Sequence, residues 1–131
     1  PHTWISAEYV LAIVSLIAYE READDALVVG AGVPAAWLDE GEVAVRALPT
    51  RHGLLDFGLA RDGGRTLVAS IGPTVTVPAG GIVLRPPLAA PLVAVEVNGR
   101  AVDAFDAVVG AVGDVDPART VEGDAARIAE P

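Results

Sequence analysis

The first 21 residues constrain the fold of this chain most strongly. They open on an aromatic and polar cluster and then become apolar, since Ser15 alone interrupts the hydrophobic run from Tyr9 to Tyr19. Apolar residues recur there at helical spacing, which predicts one helix over residues 1–21. A helix with no polar face is typical of a buried helix. We therefore expect a buried N-terminal helix, capped at its start by the side chain of Thr3 or Ser6.

The rest of the sequence alternates between apolar and polar positions, as β-strands do. Short alternating segments recur about every ten residues, and the turns at Asp62-Gly63-Gly64 and Asn98-Gly99 are typical of hairpins. This pattern predicts a mostly β fold, an antiparallel β-sandwich with the one buried N-terminal α-helix packed on it. The predicted strands are 26–31, 42–48, 54–61, 65–71, 74–77, 82–85, 91–97, 100–102 and 105–112.

Three segments are expected along the chain. They are the terminal helix at 1–22, the β-sandwich domain at 23–116 and an acidic, frayed tail at 117–131, where the composition turns polar without periodicity. Trp37 lies between two predicted strands and is expected in the core. One sheet covers only one side of an apolar helix, so something else must cover the other side. The sequence therefore predicts the C-terminal piece of a larger protein.

Composition argues against several classes of partner. A formal net charge of −9 at pH 7 would repel nucleic-acid phosphates. Glu8 and Glu20 bracket an apolar run far shorter than the roughly 20 residues that span a membrane, so no membrane partner is expected. The chain has no Cys, which removes thiolate metal sites, and its acidic residues lack the spacing of a calcium loop. We expect no metal, no cofactor and no catalytic residue.

His2, Trp4 and Glu8 form the candidate substrate-binding cluster. Trp4 and Glu8 lie four residues apart and would share one helix face, with His2 just before it. An aromatic ring that stacks on a sugar, with an imidazole and a carboxylate for its hydroxyls, suits a carbohydrate pocket. The structural alternative is a packed Trp and a Glu stabilised by the helix dipole. His52, beside Arg51 in a predicted turn, is a weaker anion-site candidate that we expect to be solvated.

Several motifs resemble a known family. Pro1-His2-Thr3-Trp4-Ile5 with Glu8-Tyr9 and Ala18-Tyr19-Glu20 resembles the last barrel helix of bacterial (α/α)6-barrel glycoside hydrolases that are α-L-rhamnosidase-like. The segments 43–53 and 78–87 are similar to the C-terminal β-sandwich of those enzymes. That sandwich usually carries Leu-Pro-Thr-x-Tyr-Gly, where this chain has Leu48-Pro49-Thr50-Arg51-His52-Gly53. The resemblance covers residues 1–115.

The resemblance implies an accessory domain that supports the catalytic barrel of a glycoside hydrolase and borders its pocket through His2 and Trp4. The acid and base carboxylates of such enzymes come from barrel loops, so this chain alone is expected to be inactive. Its expected partners are the catalytic barrel, carbohydrate and, in isolation, a second copy through residues 4–18. Two alternatives stay open: a free-standing carbohydrate-binding module, and a structural interaction domain of an unrelated protein.

Overall fold

The computed structural model describes residues 2–88, 93–97, 100–102 and 124–129. Within these ranges, strands predominate and one long helix precedes them, which confirms the predicted mostly β class with an N-terminal helix. The elements are α1 (Thr3–Ile17), β1 (Ala18–Arg21), β2 (Ala26–Val29), α2 (Trp37–Glu40), β3 (Val43–Thr50), β4 (Gly53–Asp62), β5 (Thr66–Ile71), β6 (Ile82–Leu84), β7 (Ala94–Val97), β8 (Arg100–Val102) and β9 (Asp124–Ala129).

The described strands form two sheets. One has three strands in the order β1-β2-β6, and the other has six in the order β3-β4-β5-β9-β7-β8. All pairs are antiparallel except one: β2 and β6 run parallel, with Leu27 beside Ile82. The antiparallel pairing that the sequence predicts thus holds for the other described pairs. The pair of β2 with β6 departs from it, because the chain leaves β2 and returns to its edge only after forming β3, β4 and β5. The sandwich arrangement remains a prediction.

One hydrophobic cluster draws on both sheets. Strand β4 contributes Leu55, Phe57 and Leu59, which are fully buried on one face as their alternation predicts. Strand β2 contributes Leu27 and Val29 to the same cluster. Burying a side chain of this size favours folding by about 1.5–3 kcal/mol. The two sheets thus share a core to which most of α1 adds nothing.

The edge strand β3 contains a β-bulge. Its pairing with β4 shifts between Val45 and Leu48, where Ala47 adopts a left-handed backbone with φ of 50°. The Ala47 N–H leaves the ladder and donates to Asp56 Oδ1 at 2.7 Å. A bulge and Pro49 both discourage pairing of an edge strand with another chain.

The N-terminal helix is shorter than predicted. It ends at Ile17, and Ala18 is extended, with φ of −151° and ψ of 142°. Residues 18–21 form β1 instead, because pairing with β2 satisfies their backbone groups over four residues. His2 occupies the N-cap position without a side-chain hydrogen bond, so the predicted caps at Thr3 and Ser6 are wrong.

The helix is also exposed rather than buried. No residue of α1 is buried, and it meets the sheets at its last turn. There the N–H groups of Gly32 and Gly30 donate to the carbonyls of Leu16 and Ile17, at 2.9 and 2.7 Å. A Cβ on Gly32 would lie 2.6 Å from Leu16 Cδ2, so this close approach needs glycine. The strands complete their own core, which leaves the apolar sides of α1 in solvent.

Part of the predicted frayed tail is a strand. Within 117–131, residues Asp124–Ala129 form β9 between β5 and β7, because two strand edges there supply backbone partners that override a polar composition. The predicted strand 74–77 is absent: only Val75 makes an isolated bridge, to Gly53. Pro73 and Pro78, which have no N–H to donate, flank it. The predicted strand 105–112 lies outside the described residues.

Trp37 is not a core residue. It begins the short helix α2 and is 43% exposed, whereas Leu38 is 3% exposed and belongs to the main cluster. In a helix, adjacent side chains point about 100° apart, so only one of the two can face the sheets. The smaller side chain takes that position.

Candidate functional site

The candidate cluster lies at the free end of α1. The carbonyl of His2 accepts a hydrogen bond from Ile5 N–H at 3.1 Å, which starts the helix. The ring centroids of His2 and Trp4 lie 6.3 Å apart with the planes at 72°, an edge-to-face contact. Both residues are exposed, and Trp4 is 66% exposed. The structure thus brings the two predicted rings together at the surface.

Glu8 lies one helical turn beyond Trp4 on the same face of α1. It is exposed and makes no hydrogen bond or ion pair with any described residue. Glu8 also lies outside the first turn of α1, which holds no acidic residue, so a dipole role is not favoured. His2 and Trp4 with Glu8 could stack on a sugar ring and bond its hydroxyls. Among the described residues, however, all three side chains lie on an open, exposed surface.

Apolar side chains surround α1. Successive residues turn by about 100° around a helix axis, so positions 4, 5, 9, 10, 11 and 13 occupy all of its sides. We call these six side chains the α1 surface: Trp4, Ile5, Tyr9, Val10, Leu11 and Ile13, all exposed. Large exposed apolar patches mark interaction sites in soluble domains. This surface is the most distinctive feature that the described residues present.

Arg51 is engaged in a polar cluster that links the β3–β4 turn to β1. Its backbone N–H donates to Glu20 Oε1 at 2.6 Å, and its Nε lies 2.6 Å from Glu20 Oε2. Its Nη2 donates to Glu22 Oε1 at 2.7 Å. This hydrogen bond, with the charges of Glu20 and Glu22, raises the pKa of Arg51 above its usual value. Arg51 therefore already has two carboxylate partners and is a poor anion site.

His52 is packed into the turn, whereas the sequence led us to expect a solvated side chain. Its side chain is 17% exposed, and its Nε2 lies 3.7 Å from Asp25 Oδ1. The His52 N–H donates to Thr50 Oγ1 at 3.0 Å, and its carbonyl accepts from Thr76 N–H at 2.7 Å. Thr50 Oγ1 in turn donates to the Gly53 carbonyl at 2.8 Å. These contacts are those of a structural turn.

The Pro-Thr-x-x-Gly motif has a local explanation in this turn. Gly53 has φ of 117°, and a Cβ there would lie 2.5 Å from the Thr74 carbonyl oxygen. Glycine is required at Gly53 for both reasons. Thr50 bonds both His52 and Gly53, which sets the turn between β3 and β4. This motif, one of several that carry the resemblance, therefore has a structural role in the turn.

Arg21 and Asp24 form a short, bidentate ion pair. Arg21 Nε and Nη2 donate to Asp24 Oδ1 and Oδ2 at 2.7 and 2.5 Å across the β1–β2 turn. This bidentate contact lowers the pKa of Asp24. In the described part of the chain, no three His, Asp or Glu side chains are grouped to hold a metal ion. Neither described helix has the length and apolar character to cross a membrane.

Comparisons with known proteins add no relative whose function could guide the interpretation of this site. No family model, no curated protein and no solved structure matches this chain. Sequence reasoning located the His2 and Trp4 pair and the apolar helix. It missed the contacts of Arg51 with Glu20 and Glu22, because residues about thirty positions apart carry no local signal of their meeting.

Proposed function

We propose that this chain is a C-terminal accessory β-sandwich domain that supports the catalytic barrel of a glycoside hydrolase. The α1 surface carries the proposal, because a complete β core with an unused apolar helix suits a domain that inserts that helix into a partner. The family resemblance of residues 1–20 and 43–53 supports a helical barrel as that partner. The domain would brace the barrel and border its substrate pocket.

A layer of paired helices fits the α1 surface better than a single neighbour does. The 15 residues of α1 extend over about 22 Å, and neighbouring helices pack about 8–10 Å away. One such neighbour covers one side, which leaves apolar side chains such as Tyr9 or Val10 in water. A helix within a barrel has neighbours on two sides and a further layer across its third side.

The junction between α1 and the sheets would orient the two parts. Gly32 bonds the carbonyl of Leu16 and lies against that residue, while Ile17 packs against the main cluster. Main-chain hydrogen bonds at this point restrict the angle at which α1 leaves the strands. An accessory domain held in this way would keep its sheets at a set position against the barrel.

Carbohydrate would meet the far end of α1. His2 and Trp4 lie there, about 22 Å along the helix from its junction with β1. Trp4 would stack on a sugar face, while His2 and Glu8 would bond hydroxyls. Glycoside hydrolysis needs two carboxyl groups at a defined separation. Glu8 is the only carboxylate of α1, so the cluster would bind substrate, and the barrel would supply the chemistry.

The test begins with the coding sequence upstream of Pro1. The proposal expects a long run of paired amphipathic helices, and the longer protein made from it should hydrolyse aryl glycosides. In that protein Trp4→Ala should raise KM, while Ser6→Ala, a control on the same helix, should not. An upstream sequence without paired helices would overturn the proposal, and so would a longer protein without glycosidase activity.

A carbohydrate-binding module is the second candidate, favoured by the exposed Trp4, Tyr9 and Trp37. Trp4 and Tyr9 are five positions apart, so they point about 140° apart around α1 and form no common platform. Calorimetric titration of the isolated chain with soluble oligosaccharides separates the two candidates. Binding that is lost in Trp4→Ala or Trp37→Ala would favour the module. No binding by the isolated chain favours the accessory domain.

A further inference from the structure

The last strand, β9, holds the six-stranded sheet together. It pairs with β5 from Thr66↔Ala129 to Ile71↔Asp124, and with β7 from Ala94↔Ala129 to Val97↔Ala126. Among the described strands, β7 has no other neighbour than β8 and β9. Among the described strands, the backbone pairing that links β7 and β8 to β3, β4 and β5 therefore runs through β9.

The space that β9 fills is bordered by core residues. Leu67, Ala69 and Ile71 of β5 and Val95 of β7 are buried members of the main cluster. Without β9, two facing strand edges would be open, each with unpaired N–H and C=O groups beside these side chains. Open edges of this kind pair readily with another extended chain. We call this space the β5–β7 slot.

β9 comes to the slot from far along the sequence. The β4–β5 hairpin closes through the short turn at residues 63–65, whereas β9 pairs residue 124 with residue 71. Such long-range pairs form late, after local hairpins, because their loop-closure entropy must be met first. Residues 103–123 connect β8 to β9, and 21 residues can extend to about 70 Å. This length of chain is sufficient to reach a neighbouring molecule.

We propose that β9 exchanges between copies of this chain. The β5–β7 slot of one copy binds β9 of a second copy, in the antiparallel register that the strand adopts within one molecule. The same backbone hydrogen bonds form in both cases, so only chain concentration and connectivity decide between them. The proposal rests on β9 and not on the α1 surface, so it is independent of the proposed function.

Engineered thiols test the exchange directly, since the chain has no Cys of its own. Ser70 and Ala125 are registered partners on β5 and β9. Antiparallel partners have Cα atoms about 4.5–5.5 Å apart, which suits a disulfide. Chains with Ser70→Cys and chains with Ala125→Cys are unfolded together, refolded at high concentration and oxidised. The matched control replaces Ala125→Cys with Ala129→Cys, which is registered with Thr66, about 13 Å along the strand from Ser70.

Every chain also carries Leu11→Glu, which is expected to weaken any association through the α1 surface. We expect a covalent heterodimer from Ser70→Cys with Ala125→Cys, in large excess over the control mixture. The double variant, Ser70→Cys with Ala125→Cys in one chain, should close an internal disulfide on dilution. An internal disulfide without any heterodimer would overturn the exchange. Equal amounts of heterodimer from the matched and control mixtures would also overturn the exchange. A double variant that forms no internal disulfide would overturn it as well.

Discussion

Leu38 and Trp37 are neighbours in α2 with opposite environments. Leu38 is a buried member of the main cluster, while Trp37 is largely in solvent. We predict that Leu38→Ala lowers the free energy of unfolding by about 2–5 kcal/mol. Trp37→Ala should change it by about 0.5 kcal/mol or less, as exposed substitutions do. Urea unfolding of both variants measures this, and a larger loss for Trp37→Ala would contradict the packing.

Ala47 has a left-handed backbone that costs a residue with a Cβ about 1–2 kcal/mol. We predict that Ala47→Gly is neutral or raises the free energy of unfolding by up to about 1 kcal/mol. Ala44, in the same strand but without a positive φ, is the control. Ala44→Gly should destabilise the chain by about 0.5–1 kcal/mol. If thermal unfolding shows the same loss for both variants, the bulge is misplaced.

The Arg21–Asp24 pair predicts how the stability of the fold depends on pH. Asp24 has a pKa below its ordinary value in the folded chain because Arg21 donates two hydrogen bonds to it. A lowered folded pKa favours folding above the unfolded pKa, and this contribution disappears as pH falls through the folded pKa. Arg21→Gln should raise the Asp24 pKa towards its ordinary value, measured by NMR titration of the carboxyl carbon. Arg46→Gln is the control, and an unchanged Asp24 pKa in Arg21→Gln would contradict the pairing.

At the scale of elements, local signals predicted the β4–β5 hairpin well. Leu55, Phe57 and Leu59 alternate in the sequence and lie on the buried face. Gly63 and Gly64 take positive φ angles of 60° and 29° in the turn between the strands. The alternation of apolar residues and the glycines of a turn both involve residues that are close in sequence, so they can be recognised from the sequence directly.

Elements that depend on distant partners were not predictable in the same way. Ala18 and Tyr19 still belong to the apolar run of α1, and only pairing with β2 makes residues 18–21 a strand. The parallel contact of β2 with β6 and the position of β9 likewise depend on chain that is distant in sequence. For the candidate site, helical spacing predicted that Trp4 and Glu8 share one face of α1 and that His2 lies just before them. It could not show how much of α1 the strands leave uncovered.

For the whole molecule, we propose that the barrel supplies the catalytic groups, so this chain alone should not catalyse glycoside hydrolysis. Glu8 is the one carboxylate on α1, and a glycosidase needs an acid together with a base or nucleophile. The purified chain should therefore release no aryl group from aryl glycosides. Measurable turnover that disappears in Glu8→Gln would contradict this and place a complete active site within these residues.

The central claim is that the α1 surface is an interface. Burying a Leu side chain favours association by about 1.5–3 kcal/mol, so isolated chains should cover this surface with one another. Sedimentation velocity over a range of concentrations tests this most directly. The native chain and Ser6→Glu, which adds a charge at an already polar position of α1, should form larger species as concentration rises. Leu11→Glu should weaken this association and leave the urea midpoint unchanged. A native chain that stays monomeric at every concentration would contradict the claim.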